Sequence, residues 1–382
     1  MITVANSKGY RCCTLGDVIT LKRGYDLPHN QRLQGEVPVV SSSGITGRHD
    51  KAKVKAPGVV TGRYGTLGEV FYIEEDFWPL NTALYICDFK GNHPKFISYM
   101  LRTLGLGLQN AAGAVPGINR NVLHKIPITI PNIQTQQHIA KILSNYDRLI
   151  DNNNRRIALL EESIHQLYKE WFVRSRFPGY ESVKVVDGIP EGWDLVNFTD
   201  IADVLSGGTP KTQISAYWDG NIPFFTPKDA PSSCYVMSTA KTITDLGLNK
   251  CNSKLYPKNT VFVTARGTVG KTVLAAVNMA MNQSCFALKG KEGINQYFLF
   301  LNVKTHVEYL RGSANGATFD AIIIDNFRRL KVMKPQREIL DKFEITVEPI
   351  FKQVLILLKM NVKLQQARDL LLPRLMNGSI AV

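Results

Sequence analysis

The chain has 382 residues, of which 44% are hydrophobic and 20% are charged. These proportions are typical of a folded globular protein and exclude an intrinsically disordered one, and the length allows two or three domains. The formal charge of +14 and a pI near 9.4 indicate a polyanionic partner, of which nucleic acid is the simplest.

The sequence contains no signal core at its start and no apolar run of about 18 residues, the length that a membrane span needs. We therefore expect a cytoplasmic protein without a membrane partner. The six cysteines form no C-x-x-C pair and have no histidine couple nearby, so neither a disulfide framework nor a metal site is predicted.

Residues 1–13 are expected to be a loose leader, and the sequence after them repeats itself. Five short segments recur in the same order at an offset of roughly 185–205 residues, which predicts an internal duplication. The paired segments are 16–24 with 199–207, 35–41 with 220–226, 58–68 with 260–270, 80–82 with 281–283, and 113–115 with 316–318.

Each repeat is rich in short runs of β-branched and aromatic residues, such as 58–61, 70–73 and 261–264. Glycine, proline, asparagine and serine separate these runs, as is typical of strands joined by exposed turns. Each repeat is therefore predicted to be a β-rich α+β domain.

The first repeat leads into a stretch without proline or glycine, from Gln134 to about Arg174. Apolar residues recur there every three or four positions, which predicts a long helix with a coiled-coil seam. Asn153 is the one polar residue on that seam and could fix its register. An ordinary amphipathic helix against a globular core is the alternative. The seam comprises Ile139, Leu143, Tyr146, Ile150, Asn153, Ile157, Leu160, Ile164, Leu167 and Trp171.

A second long helix is predicted after the second repeat. Pro349 lies inside it, removes one backbone donor, and predicts a kink or short break near residues 346–348. A compact second repeat brings its two ends together, so the second helix is expected to return antiparallel along the first. The second seam comprises Leu340, Phe343, Val347, Ile350, Val354, Leu357, Asn361, Leu364 and Leu371.

The expected architecture is an α+β protein with a pseudo-two-fold internal repeat. Two β-rich domains would lie at opposite ends of a long antiparallel two-helix coiled coil. The predicted ranges are 1–133 for the first domain, 134–180 for the central helix and linker, 181–333 for the second domain and 334–382 for the C-terminal helix.

Residues 265–272 fit a relaxed phosphate-loop pattern ending in Gly270-Lys271-Thr272. We reject a nucleotide site there, because the repeat places Glu69 where Lys271 stands and the following residues resemble a strand. The feature common to both repeats is a glycine-rich turn with an arginine and a hydroxyl group. Such a turn could approach a phosphate or a base edge, or it could be a structural turn whose arginine is merely solvated.

Two segments at the helix ends carry a resemblance to a known family. They read LYKEWFVRSRFPG at 167–179 and LLLPRLMNG at 370–378. Together with Pro131, Pro335 and the Gly-Thr-hydrophobic-Gly turns, they resemble the specificity (S) subunit of type I restriction–modification systems.

The resemblance implies that the two domains are target recognition domains, each reading one half of a split double-stranded DNA sequence. The helices would then be a spacer that docks two methyltransferase (M) subunits. S-adenosylmethionine belongs to those M subunits, and ATP and Mg belong to restriction (R) subunits. The present chain would be non-catalytic, with no cofactor or metal of its own.

The DNA-contacting candidates are hydroxyl, amide and basic side chains on predicted turns. They are Ser41, Ser42, Ser43, Arg63, Tyr64, Thr66 and Asn119 in the first repeat, and Thr226, Lys228, Arg266, Thr268, Lys271 and Thr318 in the second. Two alternatives remain open: a nucleic-acid-binding coiled-coil scaffold without a methyltransferase partner, and an NTP-using enzyme built on residues 270–272.

Overall fold

The computed structural model describes residues 10–108, 117–312 and 321–382. The chain divides into two compact units. The first extends to Ile150 and also contains Lys363–Val382, and the second is Asp151–Val362. Each of the two longest helices therefore contributes a segment to both units. The four predicted domain ranges, which assign each helix to a region of its own, stay predictions.

Within its described residues, the first unit contains nine strands, three short α-helices and the ends of both long helices. In chain order these are β1 Tyr10–Thr14, α1 Leu15–Val18, β2 Thr20–Arg23, β3 Val37–Ser41, β4 Gly44–His49, β5 Gly58–Gly62, β6 Val70–Ile73, β7 Trp78–Pro79, β8 Ala83–Asp88, α2 Pro94–Thr103, α3 Arg120–Leu123 and β9 Pro127–Pro131, followed by the long helix α4 Ile133–Tyr168.

The strands of the first unit form three sheets. The largest has the order β2-β8-β5-β6 and is antiparallel throughout. A second has the order β4-β3-β7, and β1 pairs with β9. Leu21, Val59 and Leu84 from the largest sheet share a buried core with Ile139 and Leu143 of α4.

The second unit begins within α4 and has a similar set of elements. They are β10 Val185–Val186, β11 Ile189–Pro190, β12 Asp194–Asn197, α5 Phe198–Ile201, β13 Ala202–Ser206, β14 Trp218–Phe225, β15 Tyr235–Val236, β16 Thr242–Ile243, α6 Asp245–Asn249, β17 Val261–Thr264, β18 Thr272–Ala275, β19 Ala280–Met281, β20 Cys285–Gly290, α7 Gln296–Gly312, α8 Ile324–Arg329, β21 Lys331–Lys334 and the long helix α9 Arg337–Met376.

The sheet topology of the second unit repeats that of the first. The order β13-β20-β17-β18 corresponds to β2-β8-β5-β6, with β15 added at the edge. Likewise β16-β14-β19 corresponds to β4-β3-β7, each with one antiparallel and one parallel pair, and β12-β21 corresponds to β1-β9. The predicted duplication and the β-rich α+β class are confirmed.

A short helix follows β1 in the first repeat and β12 in the second, and both helices begin in the same way. Thr14 and Asp17 form a reciprocal capping box at α1, and Asn197 and Asp200 form one at α5. Each box satisfies two backbone donors that a helix start leaves unpaired. The predicted leader is wrong at residues 10–13, because β1 begins at Tyr10, which is 6% exposed and whose hydroxyl donates to the Leu375 carbonyl at 2.9 Å.

The first long helix is confirmed over nearly its predicted extent. Asn132 caps it by accepting from the Thr135 amide at 2.9 Å, directly after Pro131 ends β9. It continues to Tyr168 and closes with a π-helical turn over Lys169–Val173. This turn buries Trp171 and Phe172 in the core of the second unit.

Within the second unit the two long helices run antiparallel. Asn153 near the start of the α4 segment donates to Asn361 at 2.9 Å, and the Trp171 ring, just beyond its end, lies 5.4 Å from that of Phe343. The predicted seam residues Ile157, Ile164, Phe343, Val347, Val354 and Leu357 are buried. Phe351 and Leu355 are buried as well, so the apolar stripe of α9 is wider than a strict heptad seam.

Within the first unit the segments of α4 and α9 are also antiparallel neighbours, and an ion pair connects them. The Arg368 guanidinium lies 2.7 Å from the Asp147 carboxylate, which also accepts from the Tyr99 hydroxyl on α2. Both charged side chains are 22% exposed. Asp147 therefore connects α2, α4 and α9.

The short break predicted near residues 346–348 is wrong, because α9 is continuous from Arg337 to Met376. Proline removes the donor to the carbonyl four residues earlier, which belongs to Ile345. Ile345 is 73% exposed and Pro349 is also exposed. The lost hydrogen bond thus lies on the solvent face of the helix, where water can replace it.

None of the helices within the described ranges combines the length and apolarity that crossing a bilayer requires.

Candidate nucleic-acid interface

The glycine-rich turn of the first unit connects β5 to β6. The amides of Arg63 and Tyr64 both donate to the Thr82 carbonyl, at 2.9 and 3.1 Å. Gly65 and Gly68 have φ of +81° and +89°, a backbone conformation that favours glycine. A Cβ on Gly62 would lie 1.8 Å from the Thr66 carbonyl, so the turn requires glycine for space as well.

Arg63 is held against the surface by its neighbours. Its guanidinium carbon lies 4.5 Å from the centre of the Tyr64 ring, and Nη1 donates to the Asn81 carbonyl at 3.4 Å. Tyr64 is 40% exposed. The turn therefore presents a stacked, half-exposed arginine together with an exposed Thr66.

The three serines lie on the β3–β4 turn, next to this arginine turn. Ser41 and Ser42 are each 8% exposed, and the Ser41 hydroxyl accepts from the Ser43 amide at 3.1 Å. Ser43 is the exposed member of the three. Ser41 therefore shapes the turn, and the hydroxyl of the exposed Ser43 lies within hydrogen-bonding distance of the Ser41 hydroxyl, at 3.0 Å.

Asn119 lies beside Arg63 because the Ile118 amide donates to the Arg63 carbonyl at 2.9 Å. Its side-chain oxygen accepts from the Asn121 amide and caps α3. The side chain is exposed, so its NH₂ group remains on the surface while its oxygen is engaged.

In the second unit, four of the predicted residues line one cleft. These are Thr226, Lys228, Arg266 and Thr268. The Thr268 hydroxyl donates to the Pro227 carbonyl at 3.1 Å, which joins the arginine turn to the segment after β14. Thr318 lies outside the described residues.

Lys271 does not line that cleft, and its ammonium donates to the Ala230 carbonyl at 3.2 Å. The chain from Thr272 to Ala275 is β18, paired antiparallel with β17, where a phosphate loop would continue as a helix. This geometry supports the rejection of a phosphate loop at residues 270–272.

The cleft also contains residues that the sequence reasoning missed, chiefly Trp218, Phe224, Lys241, Thr209 and Thr212. Trp218 and Phe224 lie on the same strand as the recurring segment 220–226, so the repeat could have indicated them. Lys241 belongs to a loop without a counterpart in the recurring segments, and only the tertiary structure brings it to the cleft.

Among the described residues no group of three or more histidine, cysteine or acidic side chains is placed to hold a metal ion. Burial raises the pKa of Cys285 and of Cys234, so both thiols are held neutral in the core. Two α+β repeats with basic, hydroxyl-bearing turns thus define a duplicated binding protein of the kind that contacts a polyanion.

The chain belongs to the family described as the type I restriction modification DNA specificity domain, whose model matches residues 8–162 and 190–356. Each of the two matched ranges contains one of the repeats. Membership in this family confirms the predicted role in sequence-specific DNA recognition within a type I restriction–modification system, and with it a non-catalytic one.

Two individual relatives of the chain are specificity subunits of type I restriction enzymes. The chain is 30% identical over 187 residues to the type I restriction enzyme MjaIX specificity subunit of Methanocaldococcus jannaschii, an alignment that covers 46% of this chain and 43% of that protein. It is 24% identical over 334 residues to the HindI specificity subunit of Haemophilus influenzae, covering 71% and 73%. It thus spans less than half of the former relative and about three quarters of the latter.

A solved structure shows the same fold. The S subunit of a type I restriction–modification system from M. genitalium superposes with a TM-score of 0.64 over 98% of both chains, at 15% identity.

Proposed function

We propose that the chain reads a DNA target made of two separated half-sites, with one repeat contacting each half. The observation that carries this proposal is the duplication itself. Each repeat has its own arginine turn between equivalent strands, with Arg63 after β5 and Arg266 after β17. Two equivalent reading surfaces in one chain suit a target with two parts.

The division of labour on each surface follows from side-chain chemistry. Arginine reads guanine by two parallel hydrogen bonds or holds a phosphate, and hydroxyl and amide groups reach base edges in the major groove. Arg63, Tyr64, Thr66, Ser43 and Asn119 supply these groups in the first unit. Thr226, Lys228, Arg266 and Thr268 supply them in the second.

The partners proposed for this chain are two methyltransferase subunits and, for cleavage, restriction subunits. Exposed apolar side chains on the long helices, such as Leu159, Ile345 and Ile356, support helix-mediated docking of such partners. S-adenosylmethionine would be bound by the methyltransferase subunits, and ATP and Mg by the restriction subunits. A complex that acts on DNA in this way would lie in the cytoplasm.

The decisive experiment maps methylated adenines in the source genome with the gene intact and with the gene deleted. We expect one interrupted motif of N6-methyladenine to vanish on deletion and to return on complementation. The lost motif then gives both half-sites and the gap between them. Unchanged methylation in a strain whose methyltransferase subunit is expressed would contradict the proposal and favour a DNA-binding scaffold.

A further inference from the structure

The second unit contains a concave cleft whose size suits a small ligand in addition to a contact with duplex DNA. It encloses about 620 Å³, a size within the range of small-molecule sites. Its walls come from five connections, including the loop before β14, the segment after it and the turn after β17. A duplex can contact the residues at the rim of such a recess, whereas a single planar group can enter it.

One wall of the cleft is aromatic. The rings of Trp218 and Phe224 meet edge to face, with centroids 5.5 Å apart and planes at 89°. The Lys241 ammonium lies 5.2 Å from the centre of the Trp218 ring. Phe224 is only 2% exposed and packs against the partly exposed Trp218, so Trp218 supplies the face on which a nucleobase can stack.

The cleft is also positively charged. Among the described residues, three cations, Lys228, Lys241 and Arg266, and one carboxylate, Asp229, line it. That carboxylate is engaged in the wall, since it accepts from the Thr226 hydroxyl at 2.6 Å and from the Ala240 amide at 2.8 Å. The cations therefore outnumber the acid and favour an anionic group.

Hydroxyl and amide groups complete the lining. Thr209, Thr212, Asn282 and Ser284 all contribute. The Thr209 hydroxyl bonds the side-chain oxygen of Gln283, and Asn282 accepts from the Ser284 amide at 3.1 Å. These groups are suited to the polar edge of a base or the oxygens of a sugar.

We propose that this cleft binds one nucleotide, with the base against Trp218 and the phosphate beside the cations. The nucleotide has two possible sources with the same chemistry. It is either one residue of the second half-site, turned out of the duplex, or a free nucleotide. The DNA source rests on the proposed function, whereas the free source does not.

The first experiment tests the free source with the full-length chain. The four deoxynucleoside monophosphates are titrated separately and followed by ligand-observed NMR. If a free nucleotide is the ligand, Lys241→Ala and Trp218→Ala each weaken binding roughly tenfold, in line with the loss of one stacking or cationic contact. Lys250→Ala is the matched control, because Lys250 is exposed in the same unit and does not line the cleft.

The second experiment tests the DNA source with the duplex motif obtained from the methylation map. An abasic site is placed opposite each base of the second half-site in turn. Removing the partner lowers the energy needed to turn a base out, so affinity should rise at one position. We expect that rise in wild type and Lys250→Ala, and its loss in Lys241→Ala.

The two experiments together distinguish the possible outcomes. Cleft-dependent binding in either experiment supports the proposal and identifies the source. If wild type binds its target duplex specifically but neither experiment depends on the cleft, the proposal is overturned and the proposed function stands. If no methylation motif is found, the free-nucleotide titration alone decides whether the cleft binds a nucleotide. If Trp218→Ala fails to fold, Lys241→Ala alone tests the dependence on the cleft.

Discussion

At the residue scale, the arginines of the two glycine-rich turns, Arg63 and Arg266, are held in different ways. Arg63 stacks on Tyr64 and donates to the Asn81 carbonyl, so its guanidinium is oriented before any ligand binds. Arg266 instead lines an open cleft together with Lys228 and Lys241. A preorganised arginine loses less conformational freedom on binding, which favours base reading by Arg63.

Arg63→Ala should therefore relax reading of one half-site and leave the other intact. We expect a loss of about 1–3 kcal/mol of discrimination, the usual worth of a bidentate arginine–base contact. Binding to duplexes with substitutions in either half-site measures the effect. Arg266→Ala is the paired variant and should affect the opposite half-site. Equal damage at both half-sites from Arg63→Ala would contradict its placement.

His93 and His124 are among the histidines of the first unit that accept backbone hydrogen bonds, and a ring nitrogen that accepts must be unprotonated. His124 Nε2 accepts from the Leu21 amide at 2.9 Å, and His93 Nδ1 accepts from the Phe96 amide at 3.3 Å. Burial lowers the pKa of both rings, and Lys90 and Arg120 lower that of His124 further. The folded state therefore resists protonation more than the unfolded state does.

The resulting pH dependence has a definite sign. Above the ordinary histidine pKa of 6.5 both rings are neutral in the folded and in the unfolded chain. Below it the rings bind protons in the unfolded chain more readily than in the folded chain. Stability should fall as the pH drops below about 6.5. His124→Gln, which keeps an acceptor, should flatten that fall in urea unfolding between pH 7 and 5.5. The exposed His138→Gln should leave the fall unchanged.

At the scale of elements, a pair of buried asparagines fixes how the long helices align in the second unit. Asn153 and Asn361 are 5% and 6% exposed and bond each other, and Asn361 also donates to Asn154 at 2.8 Å. Sliding one helix by a turn would place each amide against apolar side chains. Buried polar pairs of this kind specify register at a cost in stability.

Asn153→Ala should destabilise the second unit by about 1–3 kcal/mol, because the Asn361 oxygen then remains buried without its donor. Asn152→Ala, on the exposed face of the same helix, is the matched control and should change stability little. Replacing both buried asparagines with leucine should restore or raise the melting temperature. A leucine pair less stable than Asn153→Ala would count against this account.

At the scale of the whole molecule, the two repeats of one chain are joined by continuous helices. If helix length sets the gap between half-sites, inserting seven residues into both helices should change that gap. Seven helical residues add about 10 Å, or roughly 3 bp of DNA. The insertions belong after Asn153 and at the matching point of α9, before Asn361, so that the antiparallel pairing is kept.

Methylation mapping of cells that express this variant measures the outcome. We expect a motif with unchanged half-sites and a gap longer by about three base pairs. A variant with a single insertion, in α4 alone, is the control for disrupted pairing and should lose methylation. An unchanged gap in the doubly inserted variant would refute the role of helix length.

Several features follow from the sequence by itself. Local patterns determine them: the period of apolar residues predicts both long helices, and the recurring segments predict the duplication. The arginine turns are predicted because glycine and arginine recur together at equivalent places. In each case the signal is contained within a short stretch or in its repetition, so no knowledge of distant contacts is needed.

Other features were decided only by the tertiary structure. Pro349 leaves α9 unbroken because its lost hydrogen bond faces solvent, and solvent exposure depends on what packs against the helix. Lys241 reaches Trp218 through a loop whose course no local pattern specifies. The pairing of Asn153 with Asn361 joins residues 208 positions apart. These contacts arise from packing between distant segments, and a one-dimensional pattern does not encode which distant segments meet.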